Sequence, residues 1–473
     1  MYRKIVLLLI LFLVNGFVLL AQNKELGVFK PGTKWENINT RSINVVYPSG
    51  YDSVANRVIN ITKFIHDYKL ESIGDKNANR KLQIILAPND LSNNLQIQLA
   101  PYKAIIPTTG PQNIMDIGGV DWLTQSSIFA YRRALQYSNL NSGVFRIIYW
   151  LNGDQGVQNL SSFTIPSWFF EGDATFSQTT LTKAGIGYTP SFNRQQRARV
   201  LKGKKYRYPK ARNGSFIDVI EKEEVYGVSL IEQGRKIAGP DVWKKVIRSS
   251  ANLHGIFYSF SNSTKKHIGF TTRKLYSNTY DSLEVKFQNE IKHLQLTEKN
   301  EVVASNKRFY ENYSCLNITK DRKLYALKRP LQKIPRIVEI LPNKEEKTIV
   351  RLPKDFNEQF SIHNGWIVWS EKRDNPFYKH LDYHNIFSYN LYTKEKKQLS
   401  EKKKYFSPAL STDGKTIAVI EKDANFNRYL VTLDRKTGNE LKKFSIIKHG
   451  DAFSPQWSYD NTKVLYILQA DSK

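Results

Sequence analysis

Two stretches of this 473-residue chain repeat one another at a constant offset of 47: Phe406-Ser407-Pro408-Ala409-Leu410-Ser411-Thr412-Asp413-Gly414 aligns with Phe453-Ser454-Pro455-Gln456-Trp457-Ser458-Tyr459-Asp460-Asn461. The apolar runs that follow also align, Ile417, Val419 and Ile420 against Val464, Tyr466 and Ile467. Weaker copies begin at Asn364-Gly365-Trp366 and at Asp321-Arg322-Lys323, spaced 49 and 43 residues from their neighbours. A β-rich unit of this length cannot bury its apolar face alone and has to stack on the next copy, which is the constraint that defines a propeller blade. The pair of short runs through Ile386–Leu391 and Thr393-Lys394-Glu395 suits the outer hairpin of such a blade. Propellers close with roughly 4–8 blades of four strands, whereas residues 301–473 hold about three blades and the start of a fourth. The expected ring stays open, with one strand edge and one apolar face uncovered.

The length exceeds what one hydrophobic core organises, so more than one domain is expected. Residues 1–21 read as a secretory signal: Arg3 and Lys4, an apolar run from Ile5 to Leu20, then Ala21 before Gln22. Bulky Leu19 two positions before Ala21 leaves an uncleaved anchor, and membrane association through it, as the alternative. The implied address is exported: periplasmic, outer-membrane-associated or secreted. A single cysteine, Cys315, excludes an intrachain disulfide, so the domains are held by packing. Residues 22–300 form the other domain. Residues 43–48 read as a strand, 51–70 as a helix, and 82–87, 94–100 and 103–107 as strands of a mixed sheet. Helical patterns then cover 121–140, loosen over 152–166, resume near Pro166-Ser167-Trp168 and recur at 215–237, 239–251 and 280–294.

Net charge is +28, from 71 Lys plus Arg against 43 Asp plus Glu. That balance favours anionic partners, yet it comes without any nucleic-acid recognition motif, and an exported chain meets acidic polysaccharide or lipid headgroups first. The plainer reading is a lysine-biased solvated surface. No P-loop, dinucleotide-binding glycine pattern or G-x-S-x-G elbow is present. His380 and His384 stand four apart but in an extended region, where their rings would not share a face, and the remaining histidines are scattered singly.

One phrase carries chemistry. Pro166-Ser167-Trp168-Phe169-Phe170-Glu171-Gly172-Asp173-Ala174 places a carboxylate in the first turns of a helix behind three aromatics. It resembles the third-ligand helix of gluzincin-type (peptidase MA-like) zinc metallopeptidases, and over about 30–473 the chain resembles bacterial exported proteins in which such a domain precedes TolB/WD40-like propeller repeats. In that family an upstream HExxH helix binds zinc through two histidines and activates water through its glutamate. The corresponding helix here is Ser127–Tyr137, with Phe129 at the first histidine position, Ala130 at the glutamate and Arg133 at the second histidine. Glu171 is the retained family position and Tyr226 stands where the family places a residue that steadies the transition state, although each also reads as structural: Glu171 as an acid at a helix N-terminus, Tyr226 as core.

The resemblance therefore implies an α+β zincin-like domain, a mixed sheet plus helices, followed by an all-β incomplete β-propeller. It implies no catalytic residues and no bound metal, although active relatives use zinc. Arg133 is expected to reach Glu171 and replace the metal with an ion pair. The function expected is a pseudopeptidase that binds protein, peptide or anionic glycan at the envelope, with the segment Asn94–Ala100 offering a sheet edge to a substrate strand. Two alternatives stay open: a hydrolase using unrecognised residues such as Glu171 with Asp173, and a shortened fragment of a longer peptidase–propeller protein.

Overall fold

The computed structural model describes residues 29–68, 81–91, 95–113, 117–255, 257–298, 300–303, 309–353, 356–423, 427–446 and 451–469. The signal-like segment lies outside the described residues, as does Asn94. Helices fill the N-terminal half and antiparallel sheets the C-terminal half.

The first half opens with β1 (Trp35–Asn39), β2 (Ile43–Pro48), α1 (Asp52–Tyr68), β3 (Leu82–Ala87), β4 (Gln96–Gln98) and β5 (Lys103–Pro107). These strands make one mixed sheet in the order β1-β2-β3-β5-β4, parallel through β2, β3 and β5 and antiparallel at both edges. Period-two alternation sets the buried face: Ile43, Val45 and Tyr47 on β2, and Leu82, Ile84 and Leu86 on β3, pack with Ala55, Val58 and Ile65 of α1. The polar strand β1 carries no such alternation, which is why sequence patterning passes over it.

Helices then follow as α2 (Trp122–Ser138), α3 (Gly143–Thr164), α4 (Ser167–Thr182), α5 (Arg194–Leu201), α6 (Tyr208–Asn213), α7 (Glu223–Ala238), α8 (Val242–Ala251), α9 (Ser259–Ile268) and α10 (Thr272–Lys292). Three expectations change. Residues 152–166 are not loose: α3 runs through most of them, absorbing Gly153 as a kink with φ 60° and ψ −152° that glycine alone tolerates cheaply. The helix expected at 215–237 starts only at Glu223, because Gly214 at φ 77° ends α6 and the Ser215 hydroxyl accepts from the amides of Ile217 and Asp218 to hold a turn. The helix expected at 280–294 begins earlier, at Thr272, where the Thr271 hydroxyl caps the Lys274 amide.

Among the described residues the second half contains three four-stranded antiparallel sheets and a final pair. They are β6 (Glu311–Ile318), β7 (Leu324–Pro330), β8 (Arg336–Ile340) and β9 (Glu346–Arg351); β10 (Phe356–His363), β11 (Trp366–Asp374), β12 (Asp382–Asn390) and β13 (Lys396–Gln398); β14 (Tyr405–Leu410), β15 (Thr416–Lys422), β16 (Arg428–Asp434) and β17 (Glu440–Ser445); and β18 (Asp451–Trp457) with β19 (Val464–Gln469). The repeated Phe-Ser-Pro phrase is a β-bulge: register shifts between Phe406 and Ala409 and between Phe453 and Gln456, with Ser407 at φ 51° and Ser454 at φ 47°. Cys315 holds the same left-handed place in β6, at φ 50°. The repeated Asp closes the turn behind the bulge, Asp413 accepting from the Ser411 hydroxyl and Asp460 from that of Ser458. These turns also staple one sheet to the next, since Asn364 donates to the Asp413 carbonyl and the Thr412 amide donates to Asn461.

Apolar layers fill the spaces between sheets: Leu327, Ile337, Phe360, Ile362, Trp369 and Phe387 between the first and second, Val368, Ile386, Leu410, Val419 and Val431 between the second and third, Ala418, Ile420 and Ala452 beyond. No described sheet covers β19, where Leu465 is 73% and Ile467 46% exposed.

The halves meet through a polar clasp. The Asp382 amide donates to the Asn89 carbonyl, the Leu91 amide to the Asp382 carboxylate and the Lys404 ammonium to Asn89 Oδ1, while His380 pairs with Asp90. Buried Lys422 donates to the Thr109 carbonyl and pairs with Asp451, which Arg428 also holds.

Candidate functional site

Helices α2 and α4 face one another, and several of the contacts between them are polar. Helix α2 starts on Asp121, whose side chain accepts from the Thr124 amide at 3.0 Å. Its inward face then buries Gln125, Ser126, Ser127, Arg132, Arg133 and Gln136, a pattern that costs free energy unless each group is hydrogen-bonded. Helix α4 is pressed against α7 at two glycines: a Cβ on Gly172 would lie 2.4 Å from the Gly227 backbone, and one on Gly227 would lie 2.4 Å from the Trp168 carbonyl. That close crossing fixes the rotation of α4 and so the directions of Glu171 and Asp173.

Arg132 grips Asp173 in a bidentate fork, Nε to Oδ2 at 2.7 Å and Nη2 to Oδ1 at 2.8 Å, and Gln136 donates to the same carboxylate at 2.8 Å and to the Phe170 carbonyl at 3.1 Å. Arg235 adds a second charge 3.6 Å away. Burial acts to raise the Asp173 pKa, but Arg132, Arg235 and Gln136 outweigh it and hold the carboxyl below the ordinary aspartate range. Beside this pair, Arg133 Nη1 reaches Glu171 Oε1 at 3.1 Å, as the sequence leads one to expect. Its Nη2 donates to the Tyr137 hydroxyl at 2.8 Å and its guanidinium lies 4.8 Å from the centre of the Phe170 ring. Glu171 stays 38% exposed at its side chain. Burial raises its pKa, Arg133 pulls it back and the acids Glu224 and Glu223 push it further up.

Phe129, Ala130, Arg133 and Glu171 are thus brought to facing helices, Phe129 half-buried and Ala130 fully buried. Among the described residues no group of three or more His, Cys, Asp and Glu is placed to hold a metal ion, and the carboxylate that stands here already holds a guanidinium. A cation at a ligand position repels a second cation, so these residues do not fit a divalent metal. Tyr226 is packed away, with its fully buried ring against Trp168 and Tyr276. Glu171 and Asp173 point to different partners and share none.

His380 and His384 also separate: the first binds Asp90 and stacks on Phe29, and the second lies on β12 against the Ser370 hydroxyl. Cys315 exchanges hydrogen bonds with the Phe360 backbone. The Arg132–Asp173–Gln136 network went unread in the sequence, although Arg132 and Gln136, one turn apart, already share a face.

No protein-family profile matches the chain, and no curated protein matches it. Solved structures similar over part of it include TolB from Acinetobacter baumannii (14% identity over 33% of this chain and 49% of that one, TM-score 0.21) and a putative TolB from Agrobacterium tumefaciens (14%, 33% and 53%, TM-score 0.26). A third is the β-propeller domain of the trilobed protease from Pyrococcus furiosus, with an open velcro topology (18%, 24% and 33%, TM-score 0.20). The chain spans about half or less of each. At these scores the architecture is read from the chain's own strand pairing.

Proposed function

We propose that this chain is a catalytically silent relative of gluzincin-type metallopeptidases that acts at the cell envelope by holding a polypeptide strand instead of cutting it. The observation that carries this reading is the Arg133–Glu171 ion pair, which occupies the place where the metallopeptidase pattern would set a zinc between two ligands. With Ala130 at the position of the general base, nothing in the motif activates water. Binding would use β4, the last strand in its sheet order, whose outer side carries no strand among the described residues. Export would follow from the N-terminal apolar segment.

The test joins metal analysis with peptide binding. After exposure to excess zinc and gel filtration, the purified chain is expected to carry far less than one zinc per chain and to leave a quenched peptide library uncut. The same library is expected to bind, and Ile97→Pro on β4 to abolish binding by removing a ladder donor. About one zinc per chain, or peptide cleavage lost in Glu171→Gln, would overturn the proposal.

A further inference from the structure

Away from the α2–α4 face, α5, the segment 215–221 and the entry to β6 enclose a cavity of about 500 Å³, room for a disaccharide-sized ligand. Its lining is built in two layers. On the inside, Arg199 and Glu221 are buried and joined: Arg199 Nε donates to Glu221 Oε1 at 2.7 Å and Nη2 to the same oxygen, while Nη1 holds the Lys204 carbonyl at 2.6 Å. Both guanidinium bonds fall on one oxygen, and the buried Glu221 Oε2 accepts none. On the outside, Arg194, Lys202 and Lys204 line the opening and are exposed, facing one lining acid, Asp218, which Lys210 already pairs and Lys204 also reaches electrostatically, so that positive charge stays in excess. Tyr310 gives the cavity an aromatic wall.

We propose that this cavity binds an anionic saccharide, such as a uronic-acid disaccharide. The two layers ask for opposite things in a small volume: a hydroxyl donor for the Glu221 carboxylate, and negative charge for three cations at the mouth. A uronate carries both on one ring, and its C–H face can lie on Tyr310. A neutral sugar lacks the charge, and an acidic peptide brings charge and amide donors but no saturated ring face to lie on Tyr310. The site shares no residue with the α2–α4 face or with β4, so its failure leaves the pseudopeptidase reading untouched and the zinc measurement says nothing about it.

Calorimetric titration of the full chain at low salt tests the assignment, with digalacturonate as probe against galactobiose and triglutamate. Digalacturonate is expected to bind, galactobiose and triglutamate not, and the double variant Lys202→Glu/Lys204→Glu to weaken binding by at least about tenfold, the effect of losing one charge-assisted contact. Both lysines are exposed, so an unchanged Tm is expected for the variant; Tyr310→Ala, read on the same probe, supplies an independent loss should that Tm fall. Equal binding of galactobiose overturns the proposal, as does binding unchanged in both variants. Tighter binding of triglutamate moves the site to acidic peptides and also overturns it. So does a failure of digalacturonate, a glucuronate disaccharide and a sulfated disaccharide to saturate at millimolar concentration.

Discussion

Arg132 and Arg133 are adjacent in sequence yet do different work, and the difference is burial. Arg132 neutralises a carboxylate that is wholly inside the protein, whereas Arg133 reaches one that keeps contact with water. Removing one partner of a buried pair strands the other, at roughly 3–5 kcal/mol, while a partly exposed pair is worth about 1 kcal/mol or less. Denaturant unfolding should therefore show Arg132→Ala costing several-fold more stability than Arg133→Ala; equal losses would place both pairs in the same environment. A second outcome follows from the one-turn spacing of positions 129 and 133, which puts them on one helix face. Phe129→His combined with Arg133→His should present three ligands with Glu171 and bind about one zinc per chain by metal analysis, against the far lower zinc content expected of the parent chain. No zinc in the double variant would break the alignment of α2 with a metal-binding helix. At this scale the Arg133–Glu171 contact was legible because both positions sit in a recognisable phrase. The Asp173 network was not, because nothing local distinguishes a buried carboxylate from a solvated one.

The elements show how small residues set large ones. Gly172 and Gly227 let α4 and α7 touch backbone to backbone, and an added methyl has only main-chain atoms to meet. Gly172→Ala improves intrinsic helix propensity by about 1 kcal/mol, yet it should still destabilise the chain by roughly 1–3 kcal/mol through overpacking, seen as a lower urea midpoint with an unchanged slope. A stabilised variant would mean that the helices separate freely. The propeller-type strands were legible because one phrase recurs at a fixed offset, with Asp-Gly or Asp-Asn at the turn behind it and an apolar run after it. Helix α3 was not, since Gly153 and the serines of 152–166 signal a loop locally while the helix on either side carries the chain through.

On the scale of the whole molecule, buried charge joins the two halves. Burial pushes Asp382 up to about 6, with Lys372 opposing and Asp90 adding to the shift, and pushes Lys404 and Lys422 down to about 8. Unfolded aspartate titrates near 3.8, so between about 4 and 6 the folded chain holds the extra proton and this group's contribution to stability falls as pH rises. For the lysines the unfolded chain holds the extra proton between about 8 and 10.5, and their contribution improves as pH rises. Stability measured from pH 4 to 10 should differ between the parent and Asp382→Asn mainly in a lost slope between pH 4 and 6, and between the parent and Lys422→Met in a lost slope above pH 8. Variants parallel to the parent across both windows would show that the clasp stays hydrated. The sequence by itself determined the repeats and the strands β2, β3 and β5 of the first sheet, because each is written in residues near one another in the chain. Only the tertiary structure decided that Asp173 is held by Arg132, that two glycines lock α4 onto α7, and that Asp90 and Thr109 meet the propeller-type strands about 300 residues later. Those contacts depend on which distant surfaces are excluded from water together, and a linear pattern carries no record of that.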